Sequence, residues 1–441
     1  MVWHTASLFY QETIMSKDNE LKKTLGLFTA VGLAITMVVG SGLLILPGLA
    51  YLKVGSAAIY AWGISSLISI PLLIVFSRLG AEIPGAGGVA GFMQAAFSRR
   101  EGAATEILIL GTIPGGAAIA ITGGKYLRAF FDGNLGLEIL GCFSILLVGG
   151  TVNYFGGKVS GKVQQVMAFI LVALLSLVAI ASITLGDTSA GQGIAPFVQA
   201  LDSMPAVGLV FFGFVGWELM SFTTEEFKNP KRDFPLMVAL SFLIVGVLYI
   251  LVAVAIQLVL PRSHPEISTT PIAAMLATVI GKPGSRFISV LGVLIVVANF
   301  ISVVWAFSRL SFSSAREGLL PSALARTQTD AKIPRNAIIA CILAFGAVAL
   351  MHYVGLVSQS LLFELAGVSF FMSYALAVAA YIKRVSQIAP KLFGIGTLVG
   401  VSLVFINFGT AIIYPIALYA LGLVIHQMGA NRRRKGVSGH V

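Results

Sequence analysis

The chain has 441 residues, 57% of them hydrophobic and 11% charged, with a mean hydropathy of +0.94. This balance excludes a soluble globular core and, at roughly 20 residues per crossing, allows about twelve helical spans of a bilayer joined by short loops. The formal net charge of +11 would suit nucleic-acid binding in a soluble protein. Here the Lys and Arg residues sit in the gaps between apolar runs, where they act as topology signals.

Residues 1–23 read as a polar cytoplasmic leader, without the basic start, apolar core and cleavage site of a removable signal peptide. Met15-Ser16-Lys17 begins a more typical short leader and is an alternative start. Cutting the chain at charges and at Gly and Pro clusters predicts spans near 25–50, 57–78, 104–127, 137–156, 164–186, 205–223, 236–259, 284–308, 336–355, 361–382, 392–409 and 411–428. An even number places both termini on one side. With that side taken as cytoplasmic, all 29 Lys and Arg residues fall inside except Lys53, Lys125, Arg128, Arg262, Lys282 and Arg286. This is the positive-inside asymmetry, and one missed crossing would invert every later loop. The longest inside connection, Ser311 to Arg335, has room for only a short helix. Cys142 and Cys341 fall in apolar segments and read as small core residues rather than a disulfide.

The first span contains Val38-Val39-Gly40-Ser41-Gly42 within a charge-free run from Thr24 to Leu52. Glycines cost roughly 1 kcal/mol each in a helix interior relative to alanine. If the helix unwinds here, the amides of Ser41 and Gly42, with Gly40 before them, form the positive end of a second half-helix suited to a carboxylate. The Val38 carbonyl ends the first half and suits an ammonium or a cation. The alternative is that small residues only let helices pack closely. The sixth span repeats the pattern in Phe211-Phe212-Gly213-Phe214-Val215-Gly216-Trp217-Glu218. Broken segments at positions one and six of a five-plus-five arrangement point to a transport site between inverted repeats.

Four stretches carry a family resemblance: Gly40-Ser41-Gly42 with Pro47, Pro84-Gly85-Ala86-Gly87-Gly88, Asn153-Tyr154-Phe155-Gly156, and Glu225-Glu226-Phe227-Lys228-Asn229-Pro230-Lys231-Arg232-Asp233-Phe234-Pro235. A weaker fifth runs from Ser308-Arg309 to Arg316-Glu317-Gly318-Leu319-Leu320-Pro321. In these the chain resembles the amino acid-polyamine-organocation superfamily of permeases. The resemblance implies an all-α polytopic membrane protein with inverted repeats at 24–186 and 205–382, two further spans at 392–428 and a basic cytoplasmic tail at 429–441. It implies alternating access around an amino acid, with Ser41 and Gly42 on its carboxylate and the carbonyls of Val38, Phe212 and Val215 on its ammonium. Phe212 takes the place of an aromatic gate, beside Gly213, Phe214 and Gly216 of the unwound sixth span.

Mid-span positions suggest Ile113, Pro114, Phe214, Asn299, Phe300 and Phe363 around the substrate side chain, an apolar set. A cationic substrate would need a carboxylate there, so neutral, hydrophobic amino acids such as methionine, leucine, isoleucine or valine are expected. Gly87-Gly88-Val89-Ala90, Ile113-Pro114-Gly115, the sixth-span Gly-Phe-Val-Gly and Glu-Phe-Lys-Asn-Pro look most like bacterial inner-membrane exporters of methionine and branched-chain amino acids. A broader importer or exchanger is the alternative.

A charge inside a span costs a few kcal/mol and tends to face a cavity or partner. Glu218 and Glu364 are therefore the gating or proton candidates, and Glu106 is a weaker one that also fits the lipid interface. Some proton-coupled relatives carry a mid-span lysine in span five; Ala168-Phe169-Ile170-Leu171-Val172 has none, and Lys162 lies near the inside end. A proton gradient through another group, sodium, exchange and plain facilitation stay open. Glu225, Glu226, Lys231 and Arg232 are expected to form a cytoplasmic gate with Arg78, Arg99 or Arg100. The five histidines are scattered outside any zinc frame, and no Walker loop occurs. The sequence thus predicts no enzyme, no metal, no cofactor and no nucleic-acid partner, only an amino acid and the bilayer. A continuous pore lined by ionisable rings is also missing, which disfavours a channel.

Overall fold

In the computed structural model, which describes residues 23–83, 88–131, 133–217, 220, 223–267, 270–327, 333–405 and 410–437, the apolar runs are helices. The first span is split into α1 (Leu27–Val38) and α2 (Ser41–Val54). A 3-10 turn at Gly55–Ala57 leads into α3 (Ala58–Glu82), and the short α4 (Gly88–Ala96) precedes the third span, α5 (Arg99–Leu110) with α6 (Ile113–Phe130). Spans four and five are α7 (Leu135–Tyr154) and α8 (Gly157–Leu185). The sixth begins with α9 (Met204–Phe211). Next come α10 (Pro230–Val259), the short α11 (Pro271–Ile280), α12 (Lys282–Arg316), α13 (Arg335–Tyr353), α14 (Gln359–Arg384), α15 (Ile388–Phe405) and α16 (Ile413–Val437).

Local sequence sets many of these boundaries. Ser98, Asn134 and Ser358 accept backbone N–H bonds at 3.2 Å as N-caps of α5, α7 and α14. Proline opens α6, α10, α11 and α12, where its missing N–H has no helical partner to lose. The Asn153 stretch ends α7 structurally: Asn153 Nδ2 donates to the Ile301 carbonyl of α12 at 3.0 Å, and Gly156 turns the chain at φ 136°.

Nine helices among the described residues are long and apolar enough to cross a membrane. One of them, Gly42–Glu82, runs through the 3-10 turn and holds parts of two expected spans; the sixth span is broken into short pieces and the eleventh, Ile388–Leu403, is a shorter apolar helix. The twelve expected spans therefore all have helical counterparts. Helices α4 and α11 lie in connections that the sequence reading left without structure. Among the described residues, the connection after α12 carries one 3-10 turn, Ser322–Ala325.

Helix α1 packs against α8, α10 and α12, while α9 packs against α2 and α3, so the two broken spans occupy the centre of the bundle. At Gly32 the backbones of α1 and α8 approach closely, since a Cβ would lie 2.6 Å from the Gln165 Cα of α8. Side chains such as Leu147, Leu177, Leu243 and Leu343 stand exposed on the outside of the bundle, an apolar surface that water would not tolerate and lipid does. Cys142 and Cys341 are both buried free thiols.

Candidate transport site

The first break is two residues long. The Val39 N–H still bonds the Ile35 carbonyl at 2.7 Å, after which Val39 (φ −78°, ψ 89°) and Gly40 (φ −130°, ψ −145°) leave the helix before α2 begins at Ser41. The carbonyls at the end of α1 are capped from other helices. Asn299 Nδ2 on α12 donates to the Thr36 and Met37 carbonyls at 2.8 and 2.7 Å, and the Tyr249 hydroxyl on α10 donates to the Val38 carbonyl at 2.9 Å. Glycine is required at position 40 because a Cβ would sit 2.5 Å from Asn299 Cγ. Trp62 and Phe214 set Tyr249 in place, their ring centroids 5.3 and 5.4 Å from its own.

In span six, α9 passes into a 3-10 turn at Phe212–Phe214, and Val215 and Gly216 are non-helical before helix resumes at Trp217. Gly216 has φ 128°, a conformation that side-chain-bearing residues rarely adopt. The two breaks face each other across a cavity lined by Val38, Gly40 and Gly42 from the first break and Gly213, Val215 and Gly216 from the second. Its remaining wall includes Ile119, Val303, Phe307, Phe363, Ala366 and Phe370. No ionisable side chain is among these lining residues.

Several expected pocket residues lie elsewhere. Ile113 and Pro114 start α6 and do not line the cavity; Thr112, Gly115 and Gly116 of the same turn do. Phe214 belongs to the aromatic cluster behind the site, and Phe300 packs against Phe345. Asn299 reaches the cavity, but its amide nitrogen is committed to the end of α1. Phe363 lines the wall as expected. Glu218 and the loop Pro84–Gly87 lie outside the described residues, as do the side chains of Ser41, Phe212 and Glu364. Glu106 is buried rather than at the lipid interface, with one carboxyl oxygen unpartnered among the described residues.

At the opposite end of α1 the chain before it joins the chain after span six. The Thr24 and Leu25 N–H groups each donate to the Glu226 carbonyl at 2.9 Å, and the Lys228 N–H returns a bond to Leu25 at 3.0 Å. The Glu226 carboxylate accepts from Arg309 on α12 at 2.5 and 3.4 Å, with both side chains 4% exposed. The Arg309 guanidinium also lies 4.3 Å over the Trp305 ring. Glu225 pairs with Arg316 at 3.2 Å. Two of the partners expected from the sequence are engaged otherwise: Arg99 binds Glu317 at 2.7 Å and Arg78 donates to the Tyr381 hydroxyl. Among the described residues, Lys231 and Arg232 form no ion pair. The sequence did not single out the contacts of Tyr249 and Arg309; a hydroxyl in mid-span and an arginine near the end of a span were the available signals.

Two broken helices that meet around a central cavity in an all-helical membrane bundle define a transporter in which access alternates between the two sides. The chain belongs to the amino acid permease family, whose model matches residues 25–427. It is 26% identical over 426 residues to the uncharacterized amino acid permease YecA of Bacillus subtilis, covering 94% of this chain and 98% of that one. It is 29% identical over 327 residues to the L-methionine/branched-chain amino acid exporter YjeH of Escherichia coli, covering 72% and 76%. Among solved structures, MhsT in complex with L-phenylalanine superposes with a TM-score of 0.67 at 13% identity, covering 89% of this chain and 99% of that one. The fold is accordingly the inverted five-plus-five repeat expected from the sequence, with α15 and α16 added at its end.

Proposed function

We propose that the chain moves neutral, apolar amino acids of the methionine, leucine, isoleucine and valine class across the cytoplasmic (inner) membrane, in the export direction, with both termini cytoplasmic. The observation that carries this reading is the cavity wall: peptide groups at both breaks for the zwitterion, and Val303, Phe307, Phe363 and Phe370 for the side chain. A buried cation without a carboxylate partner would cost several kcal/mol there. The similarity to YjeH supports the same substrate class and direction, and the placement of basic residues supports the orientation.

In this reading Gly42 and Ser41 offer amides to the substrate carboxylate, and the carbonyls of Phe212 and Val215 accept from its ammonium. The Val38 carbonyl already accepts from Tyr249 and has one lone pair left for the substrate. Glu226 with Arg309, and Glu225 with Arg316, hold the cytoplasmic gate shut. Proteoliposomes loaded with labelled methionine, leucine, alanine or arginine test the proposal, with and without a proton or sodium gradient. Methionine and leucine are expected to leave fastest; arginine efflux at a comparable rate overturns it.

A further inference from the structure

One of the sequence motifs does work that the transport site does not use. In Asn153-Tyr154-Phe155-Gly156 the outer two residues are structural, Asn153 binding α12 and Gly156 turning the chain. The inner two, Tyr154 and Phe155, line a groove on the outside of the bundle between α7 and α13. Leu147 and Gly150 continue its wall along α7, and Ile339, Ile342 and Leu343 form the wall on α13. At Gly150 a Cβ would lie 2.9 Å from Ile342 Cγ1, so the glycine makes room for Ile342 between the two helices.

The walls are apolar and face outward, with Leu147, Phe155, Ile339 and Leu343 all exposed. From Leu147 to Phe155 the groove follows α7 for about 12 Å at 1.5 Å per residue. One leaflet of a bilayer holds roughly 15 Å of hydrocarbon. The groove thus has the length and the polarity of an acyl chain.

Its end at Tyr154 is charged. Arg335 stands one turn before Ile339 and two before Ile342 on the same face of α13, its guanidinium 4.5 Å over the Tyr154 ring. Its Nε donates to the Tyr154 carbonyl at 3.3 Å. Arg99, Arg128, Arg309 and Arg316 each pair with a carboxylate. Arg335 pairs with none among the described residues, and its Nη1 and Nη2 form no hydrogen bond there. Ring and carbonyl hold the guanidinium in place, so these two nitrogens present a preset fork of the kind that grips a phosphate. Tyrosine is also a side chain that gathers at the boundary between membrane and water, where headgroups lie.

We propose that this groove holds one anionic phospholipid of the inner leaflet, with its phosphate on Arg335 and an acyl chain along α7 and α13. The choice of leaflet rests on the cytoplasmic orientation proposed above; the ligand does not depend on what the carrier transports. The lipid joins span four of the first repeat to span nine of the second.

Native mass spectrometry of the purified full-length protein in detergent, titrated with phosphatidylglycerol or phosphatidylcholine, tests this. Wild type is expected to retain one phosphatidylglycerol about fivefold more tightly than phosphatidylcholine, the preference that one basic residue supplies near a membrane surface. Arg335→Gln loses this preference and Arg335→Lys keeps part of it. Arg326→Gln, which removes an exposed arginine at the same end of the bundle, keeps all of it. Equal retention of the two lipids by wild type, or an undiminished preference in Arg335→Gln, overturns the site. A preference lost equally in Arg326→Gln reduces it to bulk charge and overturns it too. Because Arg335→Gln also gives up its contacts with Tyr154, a second measurement uses wild type alone. Phosphatidylglycerol with a photoreactive acyl chain should crosslink to residues 146–155 and 338–343. Crosslinks spread evenly over the outer helices overturn the groove as its seat, and none of these outcomes bears on the transported substrate.

Discussion

The Tyr249 hydroxyl donates to the Val38 carbonyl at 2.9 Å, so the end of the first half-helix is held by span seven. With Asn299 on the neighbouring carbonyls, every orphan left by the break up to Val38 has a donor from elsewhere in the bundle. The break is thus a built feature of the fold, with its carbonyls capped by side chains of other helices. Replacing Tyr249 by Phe keeps the ring in its aromatic cluster and removes only the donor. A side-chain hydrogen bond within a membrane is worth about 1 kcal/mol, so transport at limiting substrate should fall about fivefold with little change in protein level. A rate equal to wild type would mean that the bond does not support the site.

Asn299→Asp places a carboxylate oxygen where an N–H₂ now faces two carbonyls. Both contacts become repulsive in a buried position, and an ionised group there costs a few kcal/mol more. Transport and thermal stability should both drop further than in Asn299→Ala, which merely leaves the carbonyls unpaired. Melting of the purified variants in detergent distinguishes the two.

The glycines of the breaks should separate by mechanism. A Cβ at Gly42 meets only Leu46 Cδ1 at 3.4 Å and Gly213 Cα at 3.8 Å, so Gly42→Leu projects into the cavity without disturbing its walls. It should insert and melt like wild type and fail to transport. Gly40→Ala drives a methyl into Asn299 and should lose stability together with transport. Uptake or efflux at the wild-type rate by Gly42→Leu would move the site elsewhere.

Arg309 and Glu226 are both deeply buried, and removing one member of such a pair strands the other at a cost of about 3–5 kcal/mol. Glu226→Gln or Arg309→Leu should therefore weaken the closed inner end and shift the population toward the state open on that side. Labelling of a Val303→Cys probe by a membrane-impermeant thiol reagent, applied from the side of the chain termini, should become faster in both. Glu225→Gln, whose pair with Arg316 is more exposed, should have a smaller effect. Equal labelling in all three would remove the gate.

Much of this was readable before any coordinates. Spans declare themselves as apolar runs between charges, and Gly40, Gly42, Gly213 and Gly216 mark the places where helix is expensive. The partners were not readable. Tyr249 meets Val38 across 211 positions and Arg309 meets Glu226 across 83, and composition carries no record of which helix faces which. Ile113 and Pro114 misled for a local reason. Proline near mid-span suggested a cavity wall, whereas it begins the second half of a divided helix and its neighbours Gly115 and Gly116 supply the wall.

The short seam between Leu25 and Phe227 has a mechanical consequence. It splices the lead-in of the first span to the tail of the sixth through three main-chain bonds. Neither arm can swing away alone without tearing that splice, so the door of the proposed transport cycle would be a single leaf with two hinges, and Arg309 its bolt.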